Sequence, residues 1–183
     1  MLVSGKGMPA ALLGAALQSA IKIYAAAAGE HCGEVLSRAN RLIFETTSLE
    51  KYATVFYGVY DPCSRTLTYS NAGHCPPVVA YNGCCTCLET LTPPVGLLPE
   101  LPARERTLEL PPGSRFLMVS DGIIEAWNPL DEEFGDERLL ELLGRWDGIK
   151  ASRFCDSVLE EVDRFTGDRP QSDDMTLIAG HAI

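Results

Sequence analysis

The sequence predicts an α+β domain, with helices packed against antiparallel sheet. Two segments of helical period fill most of the first 46 residues. At Ala53 the period changes to two, and short apolar runs then alternate with turn residues. Two further helical stretches precede a last apolar run, and no internal repeat is visible. A chain of 183 residues is read as one domain, 1–183, long enough to bury a sizeable core.

The elements follow in order. Leu2 and Val3 read as the end of a strand, with Ser4-Gly5-Lys6-Gly7 as the turn after it. The spacing Gly-x-x-x-x-Gly-Lys-Ser/Thr is absent, so Gly5-Lys6-Gly7 is not a phosphate loop. Pro9 suits the first turn of a helix, and the Ala- and Leu-rich Met8–Ala28 stops at Gly29. Val35, Leu36, Ala39, Leu42, Ile43 and Thr46 define a second helix over 33–46. Residues 53–60 form a strand, 61–65 a turn and 66–70 the returning strand. Asn71-Ala72-Gly73-His74 leads to a strand ending at Tyr81, and the chain turns at Asn82-Gly83 toward 87–91. The Pro-rich stretch 92–99 is too apolar for a freely solvated linker. Residues 104–110 alternate as a strand, and Pro111-Pro112-Gly113 turns into the apolar run 115–119. That run reads as a strand buried on both faces. A helix begins near Ile123, others cover 137–146 and 151–165, and a final strand follows Asp174.

Composition excludes several classes. Fifteen basic against 25 acidic residues give a formal charge of −10, with no basic stripe to neutralise nucleic-acid phosphates. No membrane span is expected: Met8–Ala28 comes nearest, but Gln18, Lys22 and many alanines mark a water-soluble helix. No secretory signal is recognisable, which points to the cytoplasm. The seven cysteines include one cluster, Cys84, Cys85 and Cys87, without a second Cys/His pair at zinc-finger spacing. They read as thiols on a hairpin in a reducing compartment.

Two acidic sites carry the chemistry. Ser120-Asp121-Gly122 ends the apolar run 115–119, and Asp173 and Asp174 precede the last one. A carboxylate at the mouth of a buried strand needs a partner: a helix N-terminus that it caps, a cation, or a metal ion. Adjacent strand residues face opposite ways, so Asp173 and Asp174 are not expected to face solvent together. The pair is either an exposed acidic turn or part of a hard-cation site, for which oxygen ligands suit Mg²⁺ or Mn²⁺.

These pieces resemble the PPM-type (type 2C) metal-dependent protein phosphatases. The likeness is greatest to the bacterial branch of sporulation stage II protein E and the sigma-factor-regulating phosphatases. The matching residues are Val3 to Leu12, Tyr57 to Asp61, Tyr69 to Pro77, Pro94 to Leu98, Ser120 to Ala126, Glu133 to Gly135 and Asp173 to Thr176. The resemblance implies a two-sheet β-sandwich flanked by helices with a binuclear Mn²⁺ or Mg²⁺ site. There a metal-activated water attacks the phosphorus of a phosphoserine or phosphothreonine. Asp121 and Asp173 match metal ligands of the family, with Asp174 a further candidate and Gly122 shaping the metal end. His74 aligns with a region lining the site, as an accessory in proton transfer or as a structural turn residue. The implied substrate is a phosphorylated anti-anti-sigma-type protein, and helix-mediated homodimers are compatible with the branch.

One departure stands out. The family has a bridging Asp where this chain has Leu2, and an earlier acidic strand falls before residue 1. The resemblance therefore implies a domain incomplete at its N-terminus, by truncation, misplaced start or degeneration, in which metal binding is weak or absent. The alternative to an enzyme is a pseudophosphatase or fragment acting as a protein-binding module.

Overall fold

The computed structural model describes residues 1–5, 7–29, 31–46, 51–146 and 148–182. Lys6, within the Gly5-Lys6-Gly7 turn, lies outside them. The strands are β1 (Leu2–Val3), β2 (Ala53–Asp61), β3 (Thr66–Ala72), β4 (Val78–Tyr81), β5 (Cys84–Cys87), β6 (Arg106–Glu109), β7 (Arg115–Val119) and β8 (Leu177–His181). The helices are α1 (Met8–Ala28), α2 (Cys32–Thr46), α3 (Asp121–Ile124), α4 (Gly135–Arg145) and α5 (Ala151–Thr166). The strands form two antiparallel four-stranded sheets, in the order β1-β2-β3-β6 and β5-β4-β7-β8. The α+β class read from the sequence is the class observed.

Two compact units hold these sheets, and each unit is drawn from two stretches of chain. The first comprises Met1–His74 and Glu89–Leu110. Its core joins Leu13, Leu17 and Ala20 of α1 to Leu36, Ala39 and Ile43 of α2 and to Ala53 and Val55 of β2. The Pro-rich loop is pinned into this core. Val95 exchanges two backbone hydrogen bonds of 2.8 Å with Ala53. Asn40, fully buried on α2, donates Nδ2–H to the Leu98 carbonyl (3.0 Å) and accepts the Gly96 N–H (2.8 Å) at Oδ1. Asn40→Ala would strand both loop groups away from water. We expect it to lower unfolding stability by about 2 kcal/mol in urea melts.

Among the described residues α1 is long and apolar enough, over Met8–Ala27, to cross a membrane. The sequence reading discounted this. The helix carries a single charge, Lys22, and leaves Met8, Leu12 and Ile23 exposed. Leu13, Leu17 and Ala20 pack into the core of the first unit, while most of the span is not buried: 17% of it is.

The second unit comprises Cys75–Leu88 and Pro111–Ile183. Its core gathers Leu117 and Val119 of β7, Leu139 and Leu143 of α4, Phe154, Val158 and Val162 of α5, and the fully buried Phe134. Trp146 stacks on Phe154 with ring centroids 4.2 Å apart and donates Nε1–H to the Ile149 carbonyl. The β4–β5 hairpin turns through Asn82 and Gly83 at φ of 49° and 78°. Both angles are positive, as a two-residue type I′ turn demands.

Three expectations need correction here. In β7 only Leu117 and Val119 are buried, whereas Phe116 and Met118 are half-buried. An apolar run therefore overstated burial: within this unit one face of β7 is sealed by α4 and α5. Helix α4 begins at Gly135, two residues before the expected start. Phe134 is locked in the core there, and Arg138 donates from Nη1 to the carbonyls of Glu133 and Phe134. Helix α3 begins at Asp121 itself.

Candidate functional site

Antiparallel pairing of β7 with β8 brings the two acidic segments together. The register ends at Val119↔Leu177, and one step further the Ser120 N–H donates to the Thr176 carbonyl (2.8 Å). The Ser120 side chain then completes the junction. Its Oγ accepts the Thr176 N–H (2.9 Å) and donates to the Asp174 carbonyl (3.0 Å). Ser120 itself is buried. A β-strand end cannot drift when its last hydroxyl is bonded to two points of the neighbouring segment.

Gly122 makes the approach possible. A Cβ there would lie 2.5 Å from the Asp174 carbonyl oxygen and 3.2 Å from that of Asp173. Hydrogen is the only substituent that fits between α3 and this backbone. The glycine thus shapes the site by contact with main chain.

Asp121 is the first residue of α3 and half-buried. Its Oδ1 accepts the Gly122 N–H at 2.9 Å. Ser120 holds the N-cap position but makes no side-chain cap bond to the helix. Asp121 therefore does not cap α3 from outside. It stands in the first turn, where a negative charge is favoured. Asp173 and Asp174 are both exposed and lie ahead of β8, which starts at Leu177. The expectation that strand alternation would keep them from facing solvent together was wrong, because two residues, Met175 and Thr176, separate the pair from the strand. Asp173 Oδ1 accepts the Asp174 N–H (2.8 Å), and Gln171 Nε2 donates to the Asp173 carbonyl (2.7 Å).

Three carboxylates from two bonded segments are the oxygen donors that a hard cation takes. The set is small. Among the described residues no three His, Cys, Asp or Glu side chains are grouped closely enough to hold a metal ion. The residues fit part of a divalent-cation site and do not by themselves make a binuclear one.

Cys75 is a neighbour that sequence reading missed. Burial pushes its thiol up, and the charge of Asp121 adds to the rise, followed by Glu125 and Asp136. Thiol spacing alone gave no sign of this, since Cys75 stands apart from the 84–87 cluster.

His74 belongs to the first unit and is buried. The Asn71 side chain brackets it, accepting the His74 N–H (2.9 Å) and donating to its carbonyl (3.1 Å). Its Nδ1 lies 3.2 Å from Thr54 Oγ1. Leu2, half-buried, pairs with the same Thr54. Burial lowers the imidazole to about 4. At neutral pH the ring is uncharged, in the surroundings of a structural histidine. The linkage has a definite sign. Above pH 6.5 the ring is neutral whether folded or unfolded, and below that only the unfolded chain readily takes the proton. Stability is thus lost as pH falls from 6.5 toward 4, by about 2 kcal/mol between pH 7 and 5. Urea melts at the two pH values should show this loss, and His74→Gln should remove it.

Comparison with known proteins defines the class and then the family. The structure matches the SiaA-PP2C domain of Pseudomonas aeruginosa with a TM-score of 0.87 at 20% identity, over 98% of this chain and 72% of that one. The two sheets with their helices are thus the fold of PP2C-type phosphatase domains. The chain belongs to the stage II sporulation protein E (SpoIIE) family, whose model matches residues 3–182. It is 32% identical over 136 residues to Protein IcfG of Synechocystis, covering 74% of this chain. It is also 28% identical over 125 residues to the phosphoserine phosphatase RsbU of Bacillus subtilis, covering 67% of this chain. The matched stretch spans 21% of IcfG and 37% of RsbU. The SpoIIE phosphatase domain of Bacillus subtilis, solved after presoaking with Mn, matches with a TM-score of 0.60 at 20% identity, over 97% of this chain and 73% of that one.

Proposed function

We propose that this chain carries the hydrolytic end of a cytoplasmic, Mn²⁺- or Mg²⁺-dependent phosphatase that removes phosphate from serine or threonine of an anti-anti-sigma-type regulatory protein. The observation that carries the reading is the junction of β7 with the β8 lead-in. It sets Asp121 beside the Asp173–Asp174 backbone through Ser120 and Gly122. Membership in a family of PP2C-type serine/threonine phosphatases supports it, as does the likeness to a phosphoserine phosphatase.

Asp121, Asp173 and Asp174 would contribute oxygen ligands to part of the ion's shell, which they do not complete among the described residues. When bound, such an ion neutralises phosphoryl charge and acidifies water. The protein's own contribution is to hold carboxylates that attract the cation. Backbone donors at Gly122 and Asp174 occupy Oδ1 of Asp121 and of Asp173. The second oxygen of each of these two carboxylates makes no protein hydrogen bond among the described residues. Ser120 fixes the distance between the two segments.

A second reading, a binding module without turnover, is favoured by Leu2 and by the small donor set. A p-nitrophenyl phosphate assay with Mn²⁺ on the protein separates the two. Manganese-dependent release of nitrophenol supports the enzyme, and its absence leaves the binding module.

A further inference from the structure

We infer that the loop over residues 127–134 is a docking element for the phosphoprotein substrate, with Leu130 as its apolar anchor. The inference rests on the phosphatase reading above. The loop leaves the C-terminal end of α3, the helix that opens with Asp121, and is tied to the turn that leads to Asp173. It is held more firmly than a surface connection requires. Asn128, only 8% exposed, accepts the N–H groups of Leu130 (2.9 Å) and Glu132 (3.0 Å) at Oδ1 and donates Nδ2–H to Glu132 (2.9 Å). Arg169 donates from Nη1 to the Asn128 carbonyl (2.8 Å) and to Asp131 (2.6 Å), with its guanidinium 5.9 Å from the Trp127 ring centre. Asp131 is held at φ 59°, a conformation that costs free energy in a non-glycine residue.

The product of this construction is a leucine 78% exposed, the most exposed large hydrophobic side chain among the described residues. A lone exposed leucine on a mobile loop needs no explanation. One carried on a turn whose backbone is already tied down needs less ordering on contact with a partner. Charge defines the partner. The second unit holds 16 acidic and 7 basic residues, a formal −9, and the loop itself carries exposed Glu132 and Glu133 beyond Leu130. The matching surface is an apolar hollow ringed by lysine or arginine, displaced from the phosphorylated residue.

The test uses the gene at its own locus, with strains carrying Asp121→Asn, Leu130→Asp or Leu130→Ser, read by quantitative phosphoproteomics. Purified proteins are assayed alongside with p-nitrophenyl phosphate and Mn²⁺. Asp121→Asn should raise one or a few phosphoserine or phosphothreonine sites. Both Leu130 variants should raise the same sites, with melting temperatures and nitrophenol release near wild type. An anchor of this kind should cost roughly tenfold in kcat/KM toward the phosphoprotein. Sites that rise in Asp121→Asn but stay at wild-type level in both Leu130 variants would overturn docking alone. Loss of nitrophenol release in both Leu130 variants would do the same, making the loop part of the scaffold. If no site responds to Asp121→Asn, the phosphatase reading falls, and docking with it.

Discussion

Asp121→Asn should reduce manganese-dependent turnover of p-nitrophenyl phosphate by about 100-fold or more, roughly 3 kcal/mol of transition-state stabilisation. The substitution is nearly isosteric, and the amide oxygen can still accept the Gly122 N–H now bonded to Oδ1. What it removes is one negative charge from a set of three carboxylates. Affinity for a hard divalent cation follows ligand number and charge, so a small set suffers heavily from the loss of one. Stability should barely change, because the carboxylate is half-buried and makes a single hydrogen bond. Turnover and a thermal melt measured on one preparation check both halves. Wild-type turnover would remove Asp121 from the site.

Gly122→Ala should damage fold and activity together. The added Cβ would sit 2.5 Å from the Asp174 carbonyl oxygen, 3.1 Å from its carbonyl carbon and 3.2 Å from the Asp173 oxygen. All three are main-chain atoms, so no side chain can swing away. The 173–174 segment must retreat, and the Ser120 bond to the Asp174 carbonyl lengthens with it. We expect a stability loss of about 2–3 kcal/mol, as for other overpacked sites, with turnover falling toward that of Asp121→Asn. Gly144→Ala in α4 is the control. Its Cβ would meet nothing within 4 Å, and a helix gains up to about 1 kcal/mol from alanine over glycine. If Gly122→Ala behaved like Gly144→Ala, the close approach would not matter.

Much of the fold was legible because local chemistry and fold agree. Pro9 and Gly29 bracket α1, which runs Met8–Ala28 as read, and Asn82-Gly83 made the hairpin turn unmistakable. The site was legible only in part. Asp121 and the Asp173–Asp174 pair could be picked out as acidic punctuation beside apolar runs. Their meeting depends on β7 pairing with β8 across 57 intervening residues, from Ser120 to Thr176, and that pairing leaves no local signal. Exposure of the pair was misread because strand alternation was extended four residues beyond the strand, to Asp173. Burial of His74 was hidden for a similar reason. A turn sequence such as Asn71-Ala72-Gly73-His74 looks solvated, yet Asn71 folds its side chain onto the histidine backbone. The Asn128–Arg169 clamp joins residues 41 apart and was beyond any motif.

Titration of the protein with Mn²⁺, followed by calorimetry, tests whether the two acidic segments act as one cation site. Asp121→Asn and Asp173→Asn should each weaken binding about tenfold or more, and the double variant should lose less than the product of the two, as for residues sharing one ion. Absence of binding by the wild type, or wild-type affinity in both single variants, would contradict a shared site.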